Sequence, residues 1–190
     1  MVDHLSINRL AIRFLPLLGK VFWNHKHGVG RSCRMDETYI KVNGTWKYLY
    51  RAVDKHGKTV DFLLNNKRDA AAARRFFDKA MQLNEVPDTV TTDKSGANKA
   101  ALNWLNAERA TLTKVRQVRY LNNIVDQDHR AVKRVTRPML GFKSFRAAQA
   151  VLAGIELMHM ISKGQFNMAG CDGMSIAKQF YTLAAQVPPK

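Results

Sequence analysis

Residues 35–64, MDETYIKVNGTWKYLYRAVDKHGKTVDFLL, decide the fold. Apolar and polar residues alternate from Arg34 to Val42, the period of a strand with one buried face. Asn43-Gly44 follows, a dipeptide that takes positive φ at little cost and so favours a tight hairpin. Trp46–Val53 is then a second strand, Asp54–Lys58 (DKHGK) a second turn, and Thr59–Leu64 a third strand. Together they predict an antiparallel three-stranded meander. Trp46, Tyr48 and Tyr50 occupy every second position and are expected to form one core-facing side of the middle strand.

Downstream the period becomes helical. Arg68–Leu83 is rich in alanine, with Phe76, Phe77, Ala80 and Met81 as its apolar face, and Pro87-Asp88 ends it. Thr89–Thr92 reads as a short strand closing on Asp93, Ser95–Leu105 as a helix, and Leu112–Val118 as a fifth strand. A charged helix, Ile124–Val135, stops near Pro138, and a long helix spans Ser144–Ile161. The tail holds a short helix at Ser175–Ala185. Upstream, residues 3–15 show helical spacing that Pro16 is expected to stop or bend, and Asn24–Arg31 reads as a linker. Three antiparallel strands followed by alternating helix and strand is the order of an α/β, ribonuclease-H-like mixed five-stranded sheet flanked by helices.

The chain has 31 Lys and Arg against 15 Asp and Glu, a net charge of +16, which implies a polyanionic partner, nucleic acid by default. No apolar run approaches the roughly 18 residues that would cross a bilayer, so no membrane role is expected. The expected location is the cytoplasm. Two cysteines, Cys33 and Cys171, are too few for a disulfide framework and lack zinc-ligand spacing. His25, His27, His56 and His159 show no ligand spacing either, and no Gly-rich phosphate loop or Ser-His-Asp arrangement is recognisable.

Three acids fall where such a sheet would gather them: Asp36 on the first strand, Asp93 at the end of the fourth, and Asp126 at the start of the charged helix. Hard divalent cations take carboxylate oxygens, and two such ions can clamp an in-line phosphoryl displacement. Each acid also has an ordinary reading, Asp93 as a cap for the helix after it and Asp126 as an acid favoured by a helix N-terminus. Glu37, adjacent to Asp36, is expected on the opposite face of the strand.

Three blocks carry a resemblance: residues 35–64, then TTDKSGANKAA from Thr91, then RYLNNIVDQDHRAVKRVTRPMLGFKSFRAAQAVLAGIELMHMI from Arg119. Over residues 2–164 they resemble the transposases of the IS-six family of bacterial insertion sequences, whose ribonuclease-H-like core carries a DDE triad. The resemblance implies Asp36, Asp93 and Asp126 as catalytic and metal-holding residues, with Asp126 standing where the family has Glu. It implies Mg²⁺, replaceable by Mn²⁺, as two ions, and DNA strand cleavage followed by strand transfer. Lys133, seven residues after Asp126, falls on the family's basic position, and Lys94, His129, Arg130, Arg134 and Arg137 are expected to contact DNA with it. Arg116 and Arg119 extend that basic surface. Asp128, about 200° around the helix from Asp126, is expected to face away.

The shorter Asp126 side chain withdraws its carboxylate by roughly 1.5 Å, so impaired activity is expected. Family members begin with a helix-turn-helix that reads the element ends, and residues 1–30 look like its remnant in an N-terminally truncated chain. Residues 31–164 are then the catalytic core and 165–190 a tail. A homodimer or larger assembly on DNA is expected, because two ends must be joined. The competing readings are a catalytically inactive DNA-binding remnant, a nuclease without end specificity, and a basic RNA-binding protein.

Overall fold

A computed structural model describes residues 3–109, 112–171 and 173–188, with the side chains of residues 4, 5, 7, 8, 119 and 120 excepted. The elements run α1 (His4–Asn24), β1 (Ser32–Val42), β2 (Thr45–Asp54), β3 (Thr59–Asn65), α2 (Ala70–Leu83), β4 (Thr89–Thr92), α3 (Gly96–Glu108), β5 (Lys114–Gln117), α4 (Asn123–Thr136), α5 (Phe145–Ser162) and α6 (Ile176–Ala185). Short 3-10 turns precede and follow α4, at Arg119–Asn122 and Arg137–Met139.

The chain forms two compact units, one of residues Val29–Gly141 and one of Met1–Gly28 with Phe142–Lys190. This division differs from the expected one, which kept the helix now seen as α5 inside the core. The reason is packing within the second unit. Gly154 of α5 lies so close to α1 that an added Cβ would meet Leu15 Cδ1 at 2.6 Å. Phe22 of α1 stacks on Phe166 just past α5, with ring centroids 5.8 Å apart. That burial also explains why α1 runs through Pro16 instead of stopping there. Proline removes one intrahelical hydrogen bond, but Leu18 and Phe22 beyond it are buried, and their burial outweighs the loss.

The first unit holds the expected mixed sheet, in strand order β3-β2-β1-β4-β5. β1 pairs antiparallel with β2 from Cys33↔Asp54 to Val42↔Thr45, and β2 pairs antiparallel with β3. Asn43 and Gly44 both have positive φ, 47° and 73°, which suits the hairpin that joins β1 to β2. β4 is parallel to both of its neighbours, and it meets only the start of β1, at Ser32–Arg34. On one face of the sheet Cys33, Met35, Tyr50, Ala52 and Val60 join Phe76, Phe77, Leu102 and Leu105 of α2 and α3 in the core. Burial pushes the Cys33 thiol up to about 12, so it is inert at neutral pH.

The expectation for the middle strand holds at Tyr50 and Tyr48, which join or pack against the core, and fails at Trp46. Tyr50 is fully buried, Tyr48 is half-buried, and Trp46 is 59% exposed. β1 and β2 run on past the end of β4, whose pairing with β1 stops at Arg34.

Arg51 stands opposite Asp36 in the β1–β2 register and is fully buried. Its guanidinium lies 3.4 Å from the Asp128 carboxylate of α4 and donates to Thr59 Oγ1 at 3.3 Å. Removing one partner of a buried ion pair is strongly destabilising, whereas an apolar pair of similar volume can be neutral. Asp128→Ala is therefore expected to lower unfolding free energy by about 3 kcal/mol, and Arg51→Met with Asp128→Leu by much less. Urea denaturation of both checks this; an equal loss in both would refute the pairing argument.

Candidate active site

The short β4 ends at Thr92 and delivers Asp93 to the edge of β1, where Asp36 emerges from mid-strand. Across from them the first turn of α4 carries Asp126. Asp36, Asp93 and Asp126 line one groove with Lys94, Ser95 and Asn122.

Asp36 Oδ1 accepts the Glu37 N–H at 2.9 Å. Burial nevertheless raises its pKa from 3.8 to about 7; that hydrogen bond works against the rise, and the like charges of Glu37, Asp93 and Asp126 add to it. Asp93 Oδ1 accepts from Ser95 N at 3.0 Å and from Asn98 Nδ2 at 3.4 Å. Ser95 makes no side-chain cap of its own, so one Asp93 oxygen serves the start of α3 as its ordinary reading foresaw. The other oxygen lies 3.4 Å from the Arg68 guanidinium.

Glu37 is the residue the sequence reading set aside. Strand alternation does turn it to the α2/α3 side, opposite Tyr50 in the register. Yet one oxygen each from Asp36, Glu37 and Asp93 lie within 4.8 Å of one another, because Asp93 projects from a strand end that both side chains can reach. Glu37 is held from two sides, by Arg68 at Oε1 and by Asn98 Nδ2 at Oε2, 3.2 Å away. Burial opposes the Arg68 charge, but hydrogen bonding and attraction from Glu37 outweigh it and raise its pKa further. Asn122 is a second overlooked residue. It is 3% exposed, its Nδ2 donates to Met35 O at 3.2 Å, and its Oδ1 has no hydrogen-bond partner among the described residues. Arg68 and Asn98 carry no local signature in the sequence; only the fold brings them to the acids.

Helix α4 separates two roles by its period. Val125, His129, Val132 and Thr136 form its buried stripe. Asp126 is exposed, and Arg130 and Lys133 follow at about 40° and −20° around the helix from it. Arg130, Arg134 and Arg137 are exposed, Lys133 half-buried, and Lys94 exposed beside Asp93. Asp128 faces away from the groove, bound to Arg51. Arg116 is exposed on β5, whereas the Arg119 side chain lies outside the described residues. His129, expected among the DNA contacts, is corrected: it is 5% exposed, and burial with nearby Arg51 and Lys133 lowers its pKa to about 3. A neutral, buried imidazole offers phosphate neither charge nor access.

The acids fit a hard cation. One oxygen each from Asp36, Glu37 and Asp93 lie within 4.8 Å of one another, and carboxylate oxygens are the donors that a hard divalent cation takes. A cation in the groove would relieve the like-charge part of the raised Asp36 pKa. Asp126 lines the groove but is not one of the three residues in that cluster.

Comparison with known proteins agrees with this architecture. Residues 30–165 match the DDE domain of the IS240 transposase family. The transposase of insertion sequence-like element IS431mec from Staphylococcus aureus strain Mu50 is 34% identical over 165 residues, covering 85% of this chain and 71% of that protein. The transposase of IS257 in transposon Tn4003, also from Staphylococcus aureus, matches to the same extent, 34% identity over 85% of this chain and 71% of the relative. Among solved structures, the catalytic core domain of BIV integrase superposes with a TM-score of 0.51 at 14% identity, covering 82% of this chain and 97% of that one. That likeness places the sheet in the ribonuclease-H-like fold of integrase cores. With its domain match and its transposase relatives, the chain belongs to the DDE transposases of IS-six-type insertion sequences.

Proposed function

We propose that this chain catalyses metal-dependent DNA cleavage and strand transfer for an insertion sequence, with Asp36, Asp93 and Asp126 as its acidic centre. The supporting observation is the convergence of all three on one groove beside exposed Lys94 and the basic face of α4. The reaction class is in-line displacement at a phosphodiester, first by water at the element end and then by the freed 3′-hydroxyl on target DNA. Bound Mg²⁺ or Mn²⁺, as two ions, supplies charge neutralisation at the phosphate and a more acidic attacking oxygen. Asp36 and Asp93 hold the metal, with Asp126 completing the set, while Arg68 and Asn98 keep Glu37 and Asp93 in place. Lys94, Arg130, Lys133, Arg134 and Arg137 bind the DNA backbone. Two element ends must be joined, so the acting unit is a dimer or larger on DNA, in the bacterial cytoplasm.

A second reading, a DNA-binding transposase without catalysis, is favoured by one feature. Asp126 stands outside the 4.8 Å cluster, as a carboxylate one methylene too short would. A misplacement on the order of 1 Å can cost about 100-fold in rate. Asp126→Glu is therefore expected to raise strand transfer of pre-cleaved ends at least tenfold, with Mn²⁺ narrowing the gap. If neither protein reacts although both bind DNA, the inactive reading replaces the first.

Proton linkage gives a second test. The folded-state pKa of Asp36 lies above its unfolded value, so its contribution to stability is present below pH 3.8 and is lost as pH rises to about 7. The metal-free Asp36→Asn variant should accordingly gain stability over the parent between pH 4 and 8, by on the order of 1–3 kcal/mol. In the parent, the rise in Tm produced by Mg²⁺ should grow from pH 6 to pH 8, since a proton competes for the same oxygens. A Tm response independent of pH would remove Asp36 from the metal set.

Backbone contact by α4 predicts a graded salt dependence. Arg130→Ala and Lys133→Ala should each reduce the slope of log K against log salt by about 1, whatever the DNA sequence. Fluorescence anisotropy on two unrelated duplexes measures this; unchanged slopes would take the DNA path off α4.

A further inference from the structure

β1 and β2 run past the end of β4, and the face they share with Glu37 carries a series of aromatic rings. In the register Glu37 pairs with Tyr50, Tyr39 with Tyr48, and Lys41 with Trp46. Members of a directly opposed pair point to the same side, and successive same-side positions are about 7 Å apart. The series therefore starts at the acid cluster and reaches Trp46 about 14 Å away, at the hairpin end.

These rings do not complete the core. Trp46 is 59% exposed and Tyr39 47%. Tyr39 meets Trp46 nearly at right angles, 80° with centroids 6.3 Å apart, and tilts against Tyr48 at 5.3 Å and 54°. A perpendicular pair uses at most one of its four ring faces, so flat π-surface remains open. The charge around it is positive. Lys41 is exposed opposite Trp46, and Arg68 is close enough to feel Tyr39 electrostatically. The acid on this face, Glu37, is already bound by Arg68 and Asn98.

We propose that Trp46, Tyr39 and Tyr48 form a stacking platform for unpaired nucleobases of a DNA strand leading to the acid groove, with Lys41 binding its phosphates. Flat rings bordered by a cation match an extended strand, which offers a π-face and a negative charge at each nucleotide. A second copy of this chain fits less well. Three partly exposed rings of about 200 Å² each fall well short of the roughly 800 Å² per partner of a stable interface, and two surfaces of a +16 protein would repel. The platform deepens the transposase reading and rests on it, since cleaved or opened ends are where unpaired bases arise beside the acids.

The test is metal-free anisotropy with a labelled dT oligonucleotide and, separately, a blunt duplex, on the full chain and on Trp46→Ala and Trp46→Phe. Trp46→Ala is expected to weaken dT binding about 5- to 100-fold while leaving duplex binding within about twofold, and Trp46→Phe to restore most of the loss. Equal dT binding by parent and Trp46→Ala overturns the platform and leaves the transposase reading standing if the duplex is still bound. An equal loss on both DNAs also overturns it, by making Trp46 a general contact. A change in oligomeric state by sedimentation with dT binding intact overturns it in favour of a self-interface. Failure of the parent to bind either DNA defeats the platform and the transposase reading together.

Discussion

Three carboxylates within 4.8 Å at the middle of one sheet are a repulsion that the rest of the first unit is organised to hold. In a chain of net charge +16 the long-range field eases such a cluster little, because most of those charges are on the solvated surface. What holds it is local. Arg68 and Asn98 each reach both Glu37 and Asp93, and the proton of Asp36 answers the part that they leave. A groove that keeps a carboxyl protonated to about pH 7 is one from which a divalent cation can displace that proton.

The groove needs two walls, and they are fixed by different forces. Asp36 and Asp93 are set by backbone pairing, through the parallel contact of Cys33 with Val90 between β1 and β4. Asp126 belongs to a helix, whose seat depends on side chains. Its apolar stripe is short, and it includes the buried His129. The Arg51–Asp128 ion pair adds direction to that packing, because Asp128 can meet the cation beneath the helix only with Asp126 turned about 200° away. One helix thus presents an acid and a row of cations to solvent while binding the sheet through a second acid.

Much of this was legible in the sequence for identifiable reasons. The Asn43-Gly44 hairpin follows from residues that tolerate positive φ, and α2 from an alanine-rich segment with an apolar face. Asp36, Asp93 and Asp126 were nominated by their place in the element order and by the family blocks. The misreadings share a cause, that a local pattern says which face a residue occupies but not what covers that face. Trp46 follows the same alternation as Tyr50 yet is 59% exposed, outside the core cluster that Tyr50 joins. His129 sits among charged residues and is buried because it lies on the sheet side of α4.

By itself the sequence determined the period of each element, the turn chemistry, the excess of positive charge and the membership of the family, all carried by neighbours in the chain. Tertiary structure alone decided that Glu37, Arg68, Asn98 and Asn122 gather around Asp36 and Asp93, some 61 residues separating Glu37 from Asn98 and 87 separating Met35 from Asn122. It also decided that helix α5 packs with α1 through Gly154. The physical reason is range: propensity and alternation act over a few residues, whereas charge compensation and close packing depend on distances that exist only once the chain has folded.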